Sequence, residues 1–140
     1  MSTVHQEVIA IATPGRGLTD ITRELERVVS VSTVSAGLCS VFVQHTSASL
    51  VIQENADPAV LRDLQVWLER LAPEHAHAYE HDQEGLDDMP AHLRAAVTRT
   101  SETIPVLNGK LAMGTWQGIY VWEHRARLHT RSVVVTVLGR

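Results

Sequence analysis

Apolar side chains alternate with polar ones in several short runs of the chain, and this period of two predicts β-strands. Five such runs are rich in valine, isoleucine and aromatic residues, and they cover residues 3–12, 38–45, 49–53, 116–123 and 132–138. Two further runs, 103–107 and 110–113, flank Asn108-Gly109, a dipeptide typical of a two-residue hairpin turn. The last run contains three consecutive valines and is apolar on both faces, so we expect that strand to lie inside its sheet.

A spacing of three to four residues between apolar positions predicts helices elsewhere in the chain. The clearest helix begins at Pro58, and Asp57 is placed to cap it. Two shorter helices are predicted over residues 20–29 and 90–98, the second with Asp88 as its cap. Because strands precede, separate and follow these helices without strict alternation, the pattern favours an α+β fold with mostly antiparallel pairing. The length fits a single domain.

The composition is that of an ordinary globular protein. The 140 residues include 44% hydrophobic and 20% charged residues, the formal net charge is −4, and the pI is near 6.0. Such a chain is not expected to capture nucleic acid or an anionic membrane by its charge. It shows neither a signal-peptide pattern nor an apolar stretch long enough to span a bilayer. The single cysteine, Cys39, lies in an apolar run, so we expect a structural core residue in a cytoplasmic protein.

The segment 44–49 places an imidazole and three hydroxyl groups at the end of a predicted buried strand. By the period of two, His45 continues the core-facing row of that strand. Such a histidine either forms hydrogen bonds within the core or faces a pocket, and both interpretations are open at this point. The hydroxyls of Thr46 and Ser47 favour a pocket, because such donors bind phosphates and carbonyls.

Polar residues that packing does not explain occur at three other places. Glu54 and Asn55 precede the cap of the clearest helix, where they could orient an anion or a metal ion or simply form loop hydrogen bonds. Two glycines frame Thr115-Trp116-Gln117, and glycine is typical of positions where the backbone passes close to something. Arginines gather late in the chain, where they could bind a phosphate group or form a solvated rim; they are Arg125, Arg127 and Arg131.

Histidines and carboxylates, which together are ligands for zinc-like ions, are concentrated between residues 74 and 92. Their spacing matches no standard metal motif. Asp88 and His92 are four residues apart, so a helix that begins at Asp88 puts them on neighbouring positions. A carboxylate beside an imidazole can fix the tautomer of that imidazole. His92 also borders an apolar helical stripe and is therefore expected to face inward.

Taken in order, several of these strings resemble the YjbQ-like family, also called the secondary thiamine-phosphate synthase family. The resemblance covers essentially the whole chain. The matching strings include His45-Thr46-Ser47-Ala48-Ser49, Glu54-Asn55-Ala56-Asp57-Pro58, Glu80-His81-Asp82, Asp87-Asp88-Met89-Pro90-Ala91-His92 and Gly114-Thr115-Trp116-Gln117-Gly118-Ile119. The first and the last of these, taken together, are highly specific.

The resemblance implies a single YjbQ-like domain over residues 1–140, with a β-sandwich-like core, two to three helices and a homotrimeric assembly. It implies a pocket near subunit contacts and a weak, secondary thiamine-phosphate synthase activity, whereas the main function of the family is unsettled. For such a transferase we expect a small substrate that can carry phosphate. We expect catalytic roles for His45, Glu54 and His92, and substrate contacts from Thr46, Ser47, Asn55, Thr115, Gln117, Arg125 and Arg131.

We further expect three histidines from separate segments, His45, His81 and His92, to converge on a divalent metal ion, either zinc or magnesium. His75 and His77 lie outside the matching strings and are expected to be exposed and dispensable. The alternative is that His45 is a hydrogen-bonded core residue and His81 a surface one. Two other function classes are open, a non-catalytic trimer that binds a metabolite or metal and a metal-assisted hydrolase. Imidazoles and carboxylates around an open coordination position would favour an enzyme.

Overall fold

The structure is a computed structural model that describes residues 1–74 and 79–140. These residues form eight strands and three helices. The strands are β1 (Thr3–Thr13), β2 (Gly17–Asp20), β3 (Ala36–Val43), β4 (Ala48–Glu54), β5 (Ser101–Leu107), β6 (Lys110–Leu111), β7 (Gln117–Glu123) and β8 (His129–Gly139). The helices are α1 (Thr22–Ser32), α2 (Pro58–Leu71) and α3 (Asp88–Val97).

The strands form two sheets in which all the named pairings are antiparallel. The larger sheet has the order β1-β8-β3-β5-β6, and the smaller has the order β2-β7-β4. Strand β8, which contains the valine run, pairs with β1 on one side and with β3 on the other, as its two-sided apolar pattern predicted. The α+β class with mostly antiparallel pairing is therefore confirmed.

One hydrophobic core joins the two sheets and α1. The inner row of β8 is fully buried, and Ile119 and Val121 of β7 belong to the same cluster. Leu25 and Val28 of α1 fill the space between the sheets and are also fully buried. The arrangement is the sandwich-like core that the resemblance implied, with one helix inserted at its side.

Local sequence explains where α2 begins, but it did not place the start of α3 correctly. The Asp57 side chain accepts a hydrogen bond from the backbone N–H of Ala59 at 2.9 Å, and Pro58 occupies the first turn of α2, as predicted. The predicted cap of α3 was wrong, because the cap position is Asp87 and Asp88 is already the first helical residue. The carboxylate of Asp88 is consequently available for contacts outside the helix backbone.

Two features depend on glycine. Asn108 and Gly109 have φ angles of 52° and 78°, which confirms the predicted two-residue hairpin between β5 and β6. Where β3 meets β8, Gly37 lies opposite Gly139, and a Cβ on Gly37 would stand 2.0 Å from the carbonyl oxygen of Leu138. The two strands can approach this closely only without side chains at that pair.

The longest helix in the described part of the chain, α2, has 14 residues. None of the helices formed by residues 1–74 and 79–140 is long and apolar enough to cross a membrane.

Candidate functional site

Two histidines and one aspartate converge at the start of α3. Asp88 and His92 are one helical turn apart, and His81 approaches from the loop before the helix. The Oδ2 atom of Asp88 lies 2.6 Å from Nε2 of His81 and 3.1 Å from Nε2 of His92. One ligand atom from each of these residues lies within 4.8 Å of the other two, so the group could hold a metal ion. We call these three residues the His–Asp–His cluster.

The orientation of His92 is set from outside the cluster. Its Nδ1 atom lies 3.1 Å from the carbonyl oxygen of Thr46, which can only accept, so Nδ1 carries the proton. In a neutral imidazole, Nε2 then has a free lone pair, and this lone pair faces an oxygen of the Asp88 carboxylate. Two acceptors that face each other at 3.1 Å need a proton or a cation between them. The geometry is that of a metal-binding histidine with a hydrogen-bonded outer nitrogen.

Arg125 fixes the carboxylate of Asp88 from the other side. Its Nη1 donates to Oδ1 of Asp88 at 2.5 Å, its Nε donates to Asp87 at 3.0 Å, and its Nη2 donates to the carbonyl of Glu84 at 3.0 Å. Burial alone would raise the pKa of Asp88, but the hydrogen bond from His81 and the charge of Arg125 lower it overall. Asp88 is therefore ionised at neutral pH, and its contacts with Arg125 and His81 fix its orientation.

The cluster is open on one side. The Asp88 side chain is 3% exposed, whereas the side chains of His81 and His92 are 44% and 31% exposed. A buried carboxylate thus lies beneath two accessible imidazoles, which leaves room for a further ligand from solvent. Two nitrogen donors and one oxygen donor form a set that suits zinc-like ions, whereas magnesium prefers oxygen donors alone.

His45 is not part of this cluster, which corrects the predicted set of His45, His81 and His92. Strand β3 ends at Val43, and the ring of His45 turns toward β8, where its Nε2 accepts a hydrogen bond from the backbone N–H of Ser132 at 2.8 Å. Burial and then the charge of Arg131 lower the pKa of His45, so the ring is neutral and its acceptor nitrogen is already used. Asp88, which was expected only to support His92, is the third member of the cluster.

Arg131 and Glu123 form a buried ion pair behind His45. The Nε atom of Arg131 donates to Glu123 at 2.7 Å, and its Nη2 donates to the hydroxyl of Ser47 at 3.0 Å. Thr13 donates a further hydrogen bond to Glu123 at 2.6 Å. Burial alone would raise the pKa of Glu123, but these hydrogen bonds lower it. Glu123 is a charged residue in the row of core-facing residues on β7, and this position is the signal by which the sequence indicates it.

Two of the three arginines that were predicted to bind a phosphate are therefore already occupied, whereas Arg127 is exposed. Arg125 is engaged by Asp87, Asp88 and a backbone carbonyl, and Arg131 is engaged by Glu123 and Ser47. Each guanidinium organises the site by fixing a carboxylate.

An open groove of about 590 Å³ runs beside His45. It is lined by Phe42, Val43, Gln44, His45, Thr46, Ser47 and Thr100. Because the carbonyl of Thr46 holds His92, the groove and the His–Asp–His cluster are joined through one residue. This brings Thr46, Ser47 and His92 to one place on the molecule.

The other predicted site residues lie at the far end of the smaller sheet. In the pairing of β4 with β7, Glu54 faces Gln117 and Ala48 faces Glu123, so six residue steps of about 3.3 Å, roughly 20 Å, separate the two ends. Asn55 and Thr115 lie at the Gln117 end, where Asn55 Nδ2 donates to the carbonyl of Thr115 at 3.0 Å. Glu54 accepts a hydrogen bond from the backbone N–H of Ala56 at 3.0 Å. Within one chain, Glu54 therefore does not join His92, which corrects the predicted catalytic grouping.

Three residues outside this site were also the subject of predictions. Cys39 is fully buried, and burial raises the pKa of its thiol to about 11, so the thiolate needed for reactivity is absent at neutral pH. His75 and His77 lie outside the described residues.

Comparison with known proteins gives a consistent result. Residues 7–140 match the model of a family described as UPF0047 protein YjbQ-like. A UPF0047 protein of Synechocystis is 56% identical over 135 residues, which cover 96% of this chain and 92% of the relative. The YjbQ protein of Escherichia coli O157:H7 is 38% identical, with 96% of this chain and 98% of the relative covered.

Solved structures show the same fold. A YbjQ-like protein of unknown function from Sulfolobus solfataricus superposes with a TM-score of 0.91 at 28% identity, with both chains fully covered. A YjbQ/UPF0047 protein from Clostridium acetobutylicum superposes with a TM-score of 0.85 at 36% identity, over 94% of this chain and 98% of the other.

Proposed function

The chain belongs to the YjbQ-like UPF0047 family, and from this premise we propose that it is a metal-dependent enzyme whose zinc-class ion is held by His81, Asp88 and His92. The observation that carries the proposal is the convergence of one ligand atom each from His81, Asp88 and His92, with Nδ1 of His92 donating to the carbonyl of Thr46. A divalent cation among these three residues would be bound by two imidazole nitrogens and one carboxylate oxygen.

The openness of the cluster favours a catalytic metal site over a structural one. A structural zinc site is usually closed by four protein ligands, whereas a catalytic one keeps a position for water or substrate. Here the three protein ligands are a buried carboxylate and two partly exposed imidazoles. An ion in such a site polarises a substrate oxygen or lowers the pKa of a bound water.

Arg125 prepares the site without touching the substrate in this scheme. Because it holds both Asp87 and Asp88, it keeps the Asp88 carboxylate ionised and aimed at the two imidazoles. The carbonyl of Thr46 fixes the orientation of His92. Substrate reaches the cluster along the groove at Phe42–Ser47, where the hydroxyls of Thr46 and Ser47 can hold a polar group.

Among the reaction classes, metal-assisted hydrolysis of a small molecule fits this arrangement best. Thiamine-phosphate synthesis requires the enzyme to neutralise a departing pyrophosphate. The two arginines expected to do so, Arg125 and Arg131, are committed to carboxylates. The weak transferase activity implied by the family resemblance stays a second candidate, because a divalent ion alone can bind pyrophosphate.

We also propose that the protein assembles as a homotrimer through the larger sheet. The outer faces of β1, β8, β3 and β5, strands that the structure describes in full, carry no charged side chain. The register stacks apolar rows across strands, and one row joins Val8, Val134 and Phe42. Val8 and Phe42 are 66% and 46% exposed in the single chain, and an uncharged sheet face of this kind is typical of a surface that another subunit covers. The number of subunits comes from the family resemblance.

The function is tested by a hydrolysis screen on the zinc-loaded protein. We expect turnover of at least one compound in a panel of small phosphate esters, carboxylic esters and amides, and a loss of about 100-fold or more in His92→Ala. His5→Ala is the matched control, because His5 also contacts a carboxylate, Glu7 at 2.9 Å, but has no second histidine beside it in the described structure.

Three results would decide between the alternatives. Turnover that survives both chelation and His92→Ala would contradict the metal-enzyme proposal. Tight zinc binding without turnover of any compound would favour the non-catalytic binding protein. Synthesis of thiamine phosphate by the same sample, with no hydrolysis in the screen, would favour the transferase.

A further inference from the structure

A second cavity lies at the opposite end of the smaller sheet from the His–Asp–His cluster. It measures about 600 Å³ and is enclosed by α1, the β5–β6 hairpin and the segment before β7. This volume lies within the usual range of small-molecule pockets. The length of β7 separates it by roughly 20 Å from Arg125 and Asp88, so one small ligand cannot occupy both places in a chain.

Two carboxamide side chains line this cavity with their orientations fixed by the backbone. The Nδ2 atom of Asn55 donates to the carbonyls of Thr115 at 3.0 Å and Gln117 at 3.2 Å, which leaves its Oδ1 as the acceptor for a ligand. The Oε1 atom of Gln117 accepts from the backbone N–H of Gly114 at 2.7 Å, which leaves its Nε2 as a donor. The cavity therefore presents one oriented acceptor and one oriented donor from neighbouring side chains.

The close packing of this segment keeps both amides in place. Gly118 follows Gln117, and a Cβ at Gly118 would stand 3.2 Å from the ring of Tyr120 and 3.4 Å from the side chain of Asn55. The hydroxyl of Tyr120 in turn donates to the carbonyl of Glu54 at 2.7 Å. Gly114 thus donates its N–H to the Gln117 amide, and Gly118 leaves the space that the Asn55 side chain occupies.

The remaining walls are suited to a flat, uncharged ring. Val29, Leu111 and Met113 provide an apolar side that is continuous with the core. Glu26 and Lys110 carry opposite charges, so the cavity has no net charge that would select a phosphate. Thr22 adds a hydroxyl whose oxygen accepts from the N–H of Ile119, which leaves its proton for a ligand.

We propose that this cavity is a second binding site, for a small planar nitrogen heterocycle with a hydrogen-bond donor next to an acceptor, as in a nucleobase. The ring lies against the apolar side, its acceptor receives the Gln117 amide, and its donor reaches the Asn55 carbonyl. The site is independent of the metal cluster and goes beyond the hydrolase function.

1-Methylcytosine and 9-methyladenine are suitable probes, because the exocyclic amine is then their only hydrogen-bond donor, and binding is measured by NMR titration of the wild-type protein. For ligands of this size we expect a Kd on the order of 1 mM for at least one probe, with shifts of the side-chain amides of Gln117 and Asn55. Replacing both hydrogens of the exocyclic amine by methyl groups removes the hydrogen-bond donor of the base and should weaken binding about tenfold. The absence of saturable binding by either base, or equal binding of the amine-methylated bases, would overturn the proposal.

Gln117→Glu removes the donor but keeps an oxygen for the N–H of Gly114, and it should weaken binding at least tenfold. Gln65→Glu is the matched control: it makes the same chemical change at a side chain that accepts from Trp122 at 2.7 Å, outside the cavity, and should leave binding unchanged. His92→Ala should also bind normally. Unchanged binding in Gln117→Glu, or lost binding in His92→Ala, would show that the bases bind elsewhere.

Discussion

His124 directly follows β7 and is fully buried. Its Nε2 is 2.8 Å from the hydroxyl of Ser49, and its Nδ1 has no hydrogen-bond partner among the described residues. Burial and then the charge of Arg94 lower the pKa of this imidazole to about 3. A histidine that stays neutral when folded but gains a proton when unfolded makes stability depend on pH.

The direction of this pH dependence follows from the number of protons that the folded and the unfolded states bind. Between the unfolded pKa of about 6.5 and the folded value, the unfolded chain binds one more proton at His124, so stability falls as the pH falls. We expect a loss of about 2 kcal/mol in the free energy of unfolding between pH 7.5 and pH 5 from this residue alone. His45, whose pKa is also lowered, adds to the loss. Asp88 and Glu123 contribute only at lower pH, because their pKa values lie below the usual carboxylate range.

Urea unfolding at the two pH values measures this effect. His124→Gln keeps a polar partner for Ser49 but cannot titrate, so its stability should change less with pH than that of the wild type. His5→Gln, at a partly exposed histidine, serves as the control for removing one imidazole from the chain. An identical pH dependence in His124→Gln and the wild type would contradict the account.

At the scale of helices and strands, local pattern predicted most of the architecture. The cap and first turn of α2, the hairpin at Asn108 and the interior position of β8 all depend on residues close in sequence, and all three were confirmed. Strand β2 was missed, because four residues are too few for alternation to be visible. It exists because it pairs with β7, more than 100 residues further along the chain.

In the site, too, contacts between residues close in sequence could be predicted and contacts between distant segments could not. The Asp88–His92 pair could be predicted because helical spacing alone brings the two residues together. The exclusion of His45 could not, because it depends on the backbone N–H of Ser132 across the β3–β8 pairing. Nor could the engagement of Arg125 by Asp87, which joins segments far apart in the sequence. Contacts between distant segments decided which of the family-motif residues belong together.

Strand direction also divided residues that the sequence grouped into one site. His45–Ser47 precede β4 and Asn55 follows it, so the strand places the two strings at opposite ends of the smaller sheet. The motif residues therefore lie in two separate places, the His–Asp–His cluster and the second cavity.

For the whole molecule, the uncharged outer face of the larger sheet predicts self-association. We expect light scattering at micromolar concentration to give the mass of a trimer. Val8→Lys, in the middle of an apolar row on that face, should give monomers, because it places a charge in the interface. Val66→Lys is the matched control on α2, where Val66 is also exposed. A wild-type monomer, or a trimer that survives Val8→Lys, would contradict the proposed interface.

The central claim is that one divalent ion binds between two imidazoles and the Asp88 carboxylate, and zinc titration by calorimetry tests it most directly. Asp88 and Asp87 are adjacent, and both are held by Arg125, but only Asp88 contacts the histidines. The account predicts one zinc per wild-type chain, affinity reduced at least tenfold in Asp88→Asn, and nearly unchanged affinity in Asp87→Asn. Zinc binding that is absent in the wild type, or equally strong in Asp88→Asn and Asp87→Asn, would contradict it.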